Sequence, residues 1–387
     1  MNMIMDIDKE YVAGTYNRFP IEIVSGKGSI VKDVNGKEYI DMGSGIGVTA
    51  FGIADDEWQK AVIDQIGKVQ HMSNLYYTGP CAELAKELCT RTGMKKVFFG
   101  NSGAEANECA VKVARKYAAE KKGPEYSTII TLRNSFHGRT LTTLSATGQD
   151  HYHELYQPLT PGFVHIGMDI DELKDAVAKN KVAGILIECI QGEGGVIPLD
   201  EKFAKELNAF TKENDILLMI DEVQTGNGRT GKLYAYMNYG LEPDVVTTAK
   251  GLAGGLPIGA ALLGDKVKNV LGFGDHGSTF GGNPVSCAAA LSVIGRIDDA
   301  LLEEVVKKGD YVKDQFKGVE GVESVTGMGL MIGIKPKKPV AEVLKYCMDH
   351  GVLCLTAKDK LRLLPALNIP MDVLSKAVAV IKDACAQ

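Results

Sequence analysis

The 387-residue sequence predicts an α/β protein with a large domain around a mainly parallel central sheet and a smaller α+β domain. From about residue 57, short apolar runs alternate with helical stretches, which is typical of a parallel sheet covered by helices on both faces. Near residue 290 a long helical stretch begins, and short strands mixed with two helices follow it. The runs that predict the large sheet are 95–100, 127–132, 182–189, 215–221, 244–249 and 260–264.

Residues 21–43 predict short antiparallel strands ahead of the large domain. Asn35 and Gly36 form the Asn-Gly pair that favours a tight hairpin turn between two of them. We therefore expect three units: an N-terminal segment 1–56 that contributes strands to the small domain, a large domain 57–290, and a C-terminal small domain 291–387.

Composition narrows the class of function. A net charge of −6 argues against a nucleic-acid or anionic-membrane partner, and no run of about 18 apolar residues predicts a membrane span. The eight cysteines are scattered without a C-x-x-C pair, which indicates free thiols and a cytoplasmic protein. The sequence has no H-E-x-x-H spacing, which argues against a metal enzyme. It also has no G-x-x-x-x-G-K-[ST] motif, which argues against a nucleotide-binding kinase or ATPase.

Polar residues follow the predicted strands, at the edge where open α/β sheets bind ligands. Ser102 and Gly103 lie where a helix begins near Ala104, and free N–H groups with a hydroxyl can hold an anion there. Taken alone, these residues are better explained by an ordinary serine or asparagine N-cap, because such caps are common. Phe136 could stack on a flat ring and Arg139 could grip a carboxylate, although a buried aromatic beside a surface arginine is an equal alternative.

Two charged residues directly follow apolar runs. Asp221 is costly to bury unless it is paired, and Lys250 would lose hydration, so that its pKa would fall. A lysine of that kind is a candidate nucleophile toward carbonyl groups. An anion cup, an aromatic ring, an aspartate and a lysine together match the needs of pyridoxal 5′-phosphate: a phosphate site, a stacking partner, a partner for the ring nitrogen and an amine that binds the aldehyde.

Seven motifs in order resemble the class III (ω-amino acid) aminotransferases across nearly the whole chain. They are NLYYTGP, FFGNSGAEANE, FHGRTLTTLSATG, IQGEGG, IDEVQTGNGRTG, TTAKGLAGGLPIGA and GSTFGGNP. The resemblance implies the pyridoxal-phosphate-dependent transferase fold of type I, and a homodimer with shared active sites.

The resemblance also implies roles for single residues. Lys250, Asp221 and Glu193 would be catalytic. The cofactor would contact Ser102, Gly103, Ala104, Phe136, Glu188, Val223, Gln224 and Thr279, with Thr279 reaching the phosphate in the neighbouring subunit. Substrate would contact Arg139, Arg362, Glu193 and Ser278.

Two substrates must use one site in this family. The resemblance implies that an ω-amino donor, N2-acetylornithine in the most similar members, reacts first and 2-oxoglutarate then leaves as glutamate. Arg362 would receive the α-carboxylate of glutamate, and Glu193 would mask Arg362 while the ω-amino donor is bound. Arg139 would hold the carboxylate of the donor.

Several alternatives remain open from the sequence. Ornithine, succinylornithine, 4-aminobutyrate or lysine could be the donor, and an aminomutase or a non-enzymatic relative could keep the fold. Apolar Ile46 fits an acylated amine better than the tyrosine that ornithine aminotransferases carry near this position. Retention of both Asp221 and Lys250 argues against a non-enzymatic relative.

Overall fold

A computed structural model describes residues 3–387 of the chain. The helices within this range are α1 Met3–Tyr11, α2 Ser44–Gly47, α3 Asp56–Ile66, α4 Gly79–Thr92, α5 Gly103–Lys122, α6 Leu141–Ala146, α7 Ile170–Lys179, α8 Glu201–Glu213, α9 Pro284–Ile294, α10 Asp299–Gln315, α11 Val340–Asp349 and α12 Met371–Ala386. No helix within residues 3–387 combines the length and apolar character that crossing a membrane requires.

The strands form four sheets. Their bounds are β1 Ile23–Lys27, β2 Ile30–Asp33, β3 Glu38–Asp41, β4 Lys96–Gly100, β5 Thr128–Leu132, β6 Phe163–Ile166, β7 Val182–Glu188, β8 Ile190–Gln191, β9 Ile197–Pro198, β10 Leu217–Asp221, β11 Val245–Thr248, β12 Gly259–Leu263, β13 Val322–Met328, β14 Met331–Pro336, β15 Val352–Leu353, β16 Leu355–Ala357 and β17 Lys360–Leu363.

The largest sheet has seven strands in the order β4-β12-β11-β10-β7-β5-β6. The neighbours from β11 to β6 pair in parallel, whereas β12 is antiparallel to β11 and to β4. Strands β7 and β10 are buried along their whole length, as expected for central strands with both faces covered. The predicted α/β fold with a mainly parallel sheet is confirmed.

The N-terminal strands are also as expected. Strands β1, β2 and β3 form an antiparallel sheet, and Gly36 takes the left-handed conformation in the turn between β2 and β3. Strand β15 pairs with β3, so residues 352–353 complete this N-terminal sheet. A separate sheet, β13-β14-β17-β16, lies wholly in the C-terminal third of the chain. The domain boundaries at residues 56 and 290 stay a prediction.

The long helical stretch expected from residue 290 differs in detail. The structure has two helices, of which α9 begins earlier, at Pro284, and α10 begins at Asp299. The side chain of Asn283 caps the first of them and that of Asp298 caps the second. Proline at the first helical position of α9 fixes that start, and Gly295 follows its end.

Candidate active site

The centre of the site is the edge where β7, β10 and β11 end. The strand register places Asp221 beside Glu188 on one side and beside Thr247 on the other. Both carboxyl groups are buried. Burial, and secondly the charge of Asp221, raises the pKa of Glu188 well above its ordinary value. Two buried carboxyl groups therefore lie side by side at this edge, and the pKa of one of them is raised.

The structure gives Asp221 a fixed set of protein donors. Its Oδ2 accepts from Asn107 Nδ2 at 2.7 Å and contacts His137 Nδ1 at 2.8 Å, while Oδ1 accepts from the Val223 N–H at 3.0 Å. Thr247 Oγ1 donates to Asn107 Oδ1 at 2.7 Å, so the amide that holds the carboxylate is itself held. These contacts lock the direction in which the carboxylate presents its remaining lone pairs.

Asn107 and His137 are the two direct partners of Asp221 whose side chains sequence reasoning did not assign. Asn107 lies on α5 four residues after Gly103, and so on the same helix face, among alanines. A polar residue on an apolar helix face was the available signal. His137 directly follows Phe136, and its Nε2 is buried without a partner in the described structure. A buried imidazole with one bonded nitrogen is typical of a group that orients its neighbour.

The predicted anion cup lies at the first turn of α5. The Ser102 hydroxyl accepts from the Glu105 N–H at 3.2 Å, so it caps the helix as the simpler alternative proposed. The N–H groups of Gly103 and Ala104 have no acceptor inside the helix, and the helix dipole favours an anion beside them. A Cβ at Gly103 would lie 2.7 Å from the Val223 side chain, so only glycine lets this turn approach the segment that follows β10.

Lys250 follows β11 and opens a single 3₁₀ turn, Lys250–Leu252. Its φ of 44° is left-handed, which is uncommon for a residue other than glycine. Burial lowers the pKa of Lys250, and Glu193 and Arg362 shift it in opposite directions. The turn α2 packs closely beside it, since a Cβ on Gly251 would lie 3.2 Å from the Gly47 carbonyl oxygen. A partly buried amine of depressed pKa fits a carbonyl nucleophile.

Phe136 and Arg139 lie on the loop after β5. The Phe136 N–H donates to Glu188 Oε2 at 3.0 Å, which fixes the half-buried aromatic beside the strand ends. The exposed Arg139 lies over the Tyr152 ring, 4.6 Å from its centroid, and 5.6 Å from that of Phe136. Tyr152 was not expected here, because it comes from a short 3₁₀ turn with no motif of its own.

The structure brings Glu193 and Arg362 into direct contact. Arg362 Nη1 donates to Glu193 Oε1 at 2.6 Å and Nη2 to Oε2 at 3.3 Å. Gln224 joins the pair, and we call Glu193, Gln224 and Arg362 the gate. Arg362 lies on β17 and is almost wholly buried, whereas Glu193 is about one-quarter exposed, with a side-chain exposure of 26%. Burial raises the pKa of Glu193, but the charge and hydrogen bonds of Arg362 outweigh this, and the net pKa lies below the ordinary value.

Ser278 and Thr279 lie on the segment between β12 and α9. Ser278 Oγ accepts from Asn101 Nδ2 and from the Gly281 N–H, each at 3.0 Å. Thr279 is exposed on the same segment. Their predicted roles toward substrate and toward a neighbouring subunit remain predictions.

The residues present fit pyridoxal 5′-phosphate. Unsatisfied helix N–H groups suit its phosphate, and a buried, fully oriented carboxylate suits a cationic ring nitrogen. Gly103 removes the side chain that would fill the space between α5 and Val223. Lys250 supplies the amine, and its depressed pKa favours the uncharged form that attacks an aldehyde.

Comparisons with known proteins agree with this chemistry. The family described as aminotransferase class-III matches residues 11–385. The acetylornithine aminotransferase of Haemophilus ducreyi is 50% identical over 98% of both chains, and that of Methanocaldococcus jannaschii is 41% identical over 95% of this chain and 94% of its own.

Solved structures are similar over nearly the whole chain. The N-acetylornithine aminotransferase of Stenotrophomonas maltophilia superposes with a TM-score of 0.85 at 33% identity, covering 99% of this chain and 98% of its own. The ornithine aminotransferase of Toxoplasma gondii gives a TM-score of 0.94 at 30% identity, covering 99% and 94%. A second structure of the Toxoplasma gondii protein has pyridoxal phosphate at partial occupancy in its active site.

Proposed function

The chain belongs to the class-III aminotransferases, a family of pyridoxal-phosphate-dependent transaminases, and on that basis we propose that it acts on N2-acetylornithine. It would move the ω-amino group to 2-oxoglutarate, giving N-acetylglutamate 5-semialdehyde and glutamate, a reaction of arginine biosynthesis. The names of the relatives that are 40–50% identical support this donor.

The geometry of the strand ends supports the proposed set of cofactor-binding residues. The cofactor, when bound, supplies an aldehyde that takes up the amino group and a ring that accepts electrons. Gly103 and Ala104 would hold its phosphate through backbone N–H groups, with Ser102 beside them. Phe136 and Val223 would pack on opposite ring faces, where each is half-buried.

Charged residues would then do the proton work. Asp221, held by its three donors, would keep the ring nitrogen protonated. Lys250 Nζ would bind the cofactor and, once released by the donor amine, would carry a proton from the substrate carbon. Glu188 Oε2 would position Phe136 through its N–H rather than touch the reacting atoms.

The gate is the observation that carries the two-substrate assignment. A buried arginine that already holds a carboxylate cannot bind the α-carboxylate of the first donor. That donor would therefore enter by its ω-amine, with its own carboxylate on Arg139. Glutamate and 2-oxoglutarate would displace Glu193 from Arg362. The glycines beside Glu193, Gly192 and Gly194, would permit this movement.

The test of this function compares donors. Glutamate formation from 2-oxoglutarate should be fastest with N2-acetylornithine when ornithine, succinylornithine, 4-aminobutyrate and lysine are assayed at equal concentration. A faster rate with ornithine would assign the chain to the group of the Toxoplasma gondii neighbour. No amine-dependent glutamate with any of them would overturn the transaminase assignment.

A homodimer with shared sites is supported by the surface around 71–78 and 278–284. Asn74 donates to the carbonyl oxygens of Ser278 and Gly281, and His71 lies against Phe280 with ring centroids 5.5 Å apart. The two segments line a cavity of about 270 Å³, and the exposed large side chains beside it are Met72, Leu75, Tyr76, Tyr77 and Phe280. Exposed apolar surface of this kind is typical of an interaction site and supports a subunit interface here.

Subunit mixing tests the shared site. A mixture of Lys250→Ala and Thr279→Ala subunits forms hybrid dimers in which one site has both native residues. Activity per Lys250-bearing subunit should exceed that of Thr279→Ala alone. An activity equal to that of Thr279→Ala alone would place the action of Thr279 within its own subunit or remove it altogether.

A further inference from the structure

The amide of Gln224 connects the two charges of the gate. Its Oε1 accepts from Arg362 Nη1 at 3.0 Å, and its Nε2 donates to Glu193 Oε1 at 3.2 Å. The same Arg362 Nη1 donates to Glu193 Oε1 at 2.6 Å, so the three groups close a ring. Only this amide orientation satisfies both charges, because the reverse would set oxygen against carboxylate and N–H against guanidinium.

Backbone contacts also position Gln224, in addition to its hydrogen bond with Glu193. A Cβ on Gly192 would lie 2.3 Å from Gln224 Oε1, so the amide lies flat against the Gly192 backbone. On the other side, Asp221 Oδ1 accepts from the Val223 N–H and fixes the turn that leads to Gln224. The Gln224 amide therefore keeps its orientation. If Glu193 moves away, Gln224 Nε2 faces the space beside Arg362 that Glu193 has left.

Arg362 has donors to spare. The Arg362 side chain is only 4% exposed, and its buried Nε has no hydrogen-bond partner in the described structure. A buried guanidinium N–H without an acceptor costs free energy, and a ligand oxygen would remove that cost. Arg362 and Gln224 together therefore offer more hydrogen-bond donors than Glu193 uses.

We propose that the Gln224 amide joins Arg362 in binding the α-carboxylate of glutamate or 2-oxoglutarate once Glu193 has moved away, so that Gln224 and Arg362 together form one carboxylate seat. The inference rests on the proposed function and adds a substrate-positioning role for Gln224. The side chain of Glu193 acts as a stand-in for the substrate carboxylate. Ionised Glu193 and an ionised α-carboxylate present the same atoms and the same charge to the seat.

The seat predicts a non-additive effect. Removing the Gln224 amide weakens the resting contact with Glu193 and the contact with the ligand alike, so the two losses largely cancel. When Glu193 is absent, the ligand alone uses the amide and the whole loss appears. Such coupling between neighbouring residues is what a double-mutant cycle measures.

The experiment titrates glutarate, a dicarboxylate without the reactive keto group, into the holoenzyme by calorimetry. The four proteins are wild type, Gln224→Met, Glu193→Ala and the double variant. Glu193→Ala should bind glutarate more tightly than wild type. Gln224→Met should weaken binding by less than about threefold in wild type but by about tenfold in the Glu193→Ala background, the value of one hydrogen bond to a charged group.

Equal effects of Gln224→Met in the two backgrounds, or no effect in either, would overturn the shared seat. Gln65 provides the matched control, because it is a part-buried glutamine on α3 whose Nε2 donates to the Val69 carbonyl. Gln65→Met should leave glutarate binding unchanged in both backgrounds. Gln224→Glu is a second variant, whose added carboxylate should compete for Arg362 and weaken glutarate binding in both backgrounds.

Failure of the seat and failure of the proposed function give different results. Glutarate binding is measured without an amine donor, whereas the donor comparison is measured as glutamate formation. Active transamination with additive glutarate binding would remove only the role of Gln224. Non-additive binding without transamination of any amine would keep the seat and overturn the proposed function.

Discussion

Two regions of the molecule hold buried ionisable groups, and the partners of those groups differ in kind. One is the strand-end cluster, which consists of Glu188, Asp221 and Lys250. The other is the gate, which consists of Glu193, Gln224 and Arg362. Asp221 is held by an amide, an imidazole and a backbone N–H, none of which a substrate could replace. Glu193 is held by a guanidinium and an amide, both of which fit any carboxylate. The first set suits a group that stays bound, and the second suits a contact that must be exchanged.

The two regions also differ in the secondary-structure elements that carry their residues. The cluster lies on neighbouring strands of one sheet, and the Asp221–Glu188 register follows from strand pairing. The gate joins residues 169 positions apart, on the glycine turn after β8 and on β17 of another sheet. A rigid sheet fixes the cluster, whereas the glycine turn lets one gate member move.

The largest expected effect is on the fixed side. Lys250→Ala should lose nearly all transamination, because Lys250 supplies the amine at the end of β11, and borohydride should no longer link the cofactor to the chain. Peptide mass spectrometry after reduction checks this. Lys308→Ala is the matched control, since Lys308 is also buried with a lowered pKa but lies on α10. A cofactor link to any lysine other than Lys250 would contradict the assignment.

Asp221→Asn should reduce kcat by at least ~10²-fold, because an uncharged partner no longer holds the ring nitrogen protonated and a buried pair is costly to break. Steady-state kinetics with saturating cofactor measures this. Glu188→Gln keeps an acceptor for the Phe136 N–H and should lose far less. Comparable losses in the two variants would show that the strand-end carboxyl groups are not specialised.

The next largest effect is expected on the stability of gate variants. Glu193→Ala leaves Arg362 buried beside the Gln224 amide alone, and the free energy of unfolding should fall by about 2 kcal/mol. Denaturant unfolding at fixed cofactor concentration checks this. Glu193→Ala with Arg362→Met should recover part of the loss, because the uncompensated charge is removed. A double variant less stable than Glu193→Ala would show that Arg362 does not depend on Glu193.

The smallest effect belongs to the support of Asp221. His137→Leu removes the donor at 2.8 Å and should lower kcat by about tenfold, while KM for both substrates changes little. His137→Asn can place an amide N–H near the same position and should restore part of the rate. The pH titration of the cofactor absorbance should shift in the leucine variant only. An unshifted titration would give His137 a purely packing role.

These differences also explain what the sequence could and could not predict. Asp221 and Lys250 follow apolar runs, so their place at the sheet edge followed from periodicity and the rule for open sheets. Asn107 and His137 were not assigned, because their contact with Asp221 depends on how α5 and the loop after β5 pack together. The boundary between α9 and α10 was not predicted, because it is set by the capping side chains of Asn283 and Asp298 rather than by apolar periodicity.

The contact between Glu193 and Arg362 in the gate was predicted on other grounds. No spacing relates Glu193 to Arg362, and only the resemblance to aminotransferases suggested that they meet. The structure shows the contact and adds Gln224, which the resemblance had placed near the cofactor ring. Long-range pairs between separate sheets depend on tertiary geometry, which local sequence patterns do not encode.

The most direct test of the contrast between a fixed cluster and an exchangeable gate is the pair of half-reactions of Glu193→Ala, followed by rapid-mixing absorbance. We predict that the half-reaction with glutamate becomes faster or saturates at a lower concentration, while the half-reaction with N2-acetylornithine weakens, because Arg362 is unmasked. Arg362→Ala should mainly damage the glutamate half-reaction. Equal changes of both half-reactions in both variants would contradict the exchange and leave the gate with a general positioning role only.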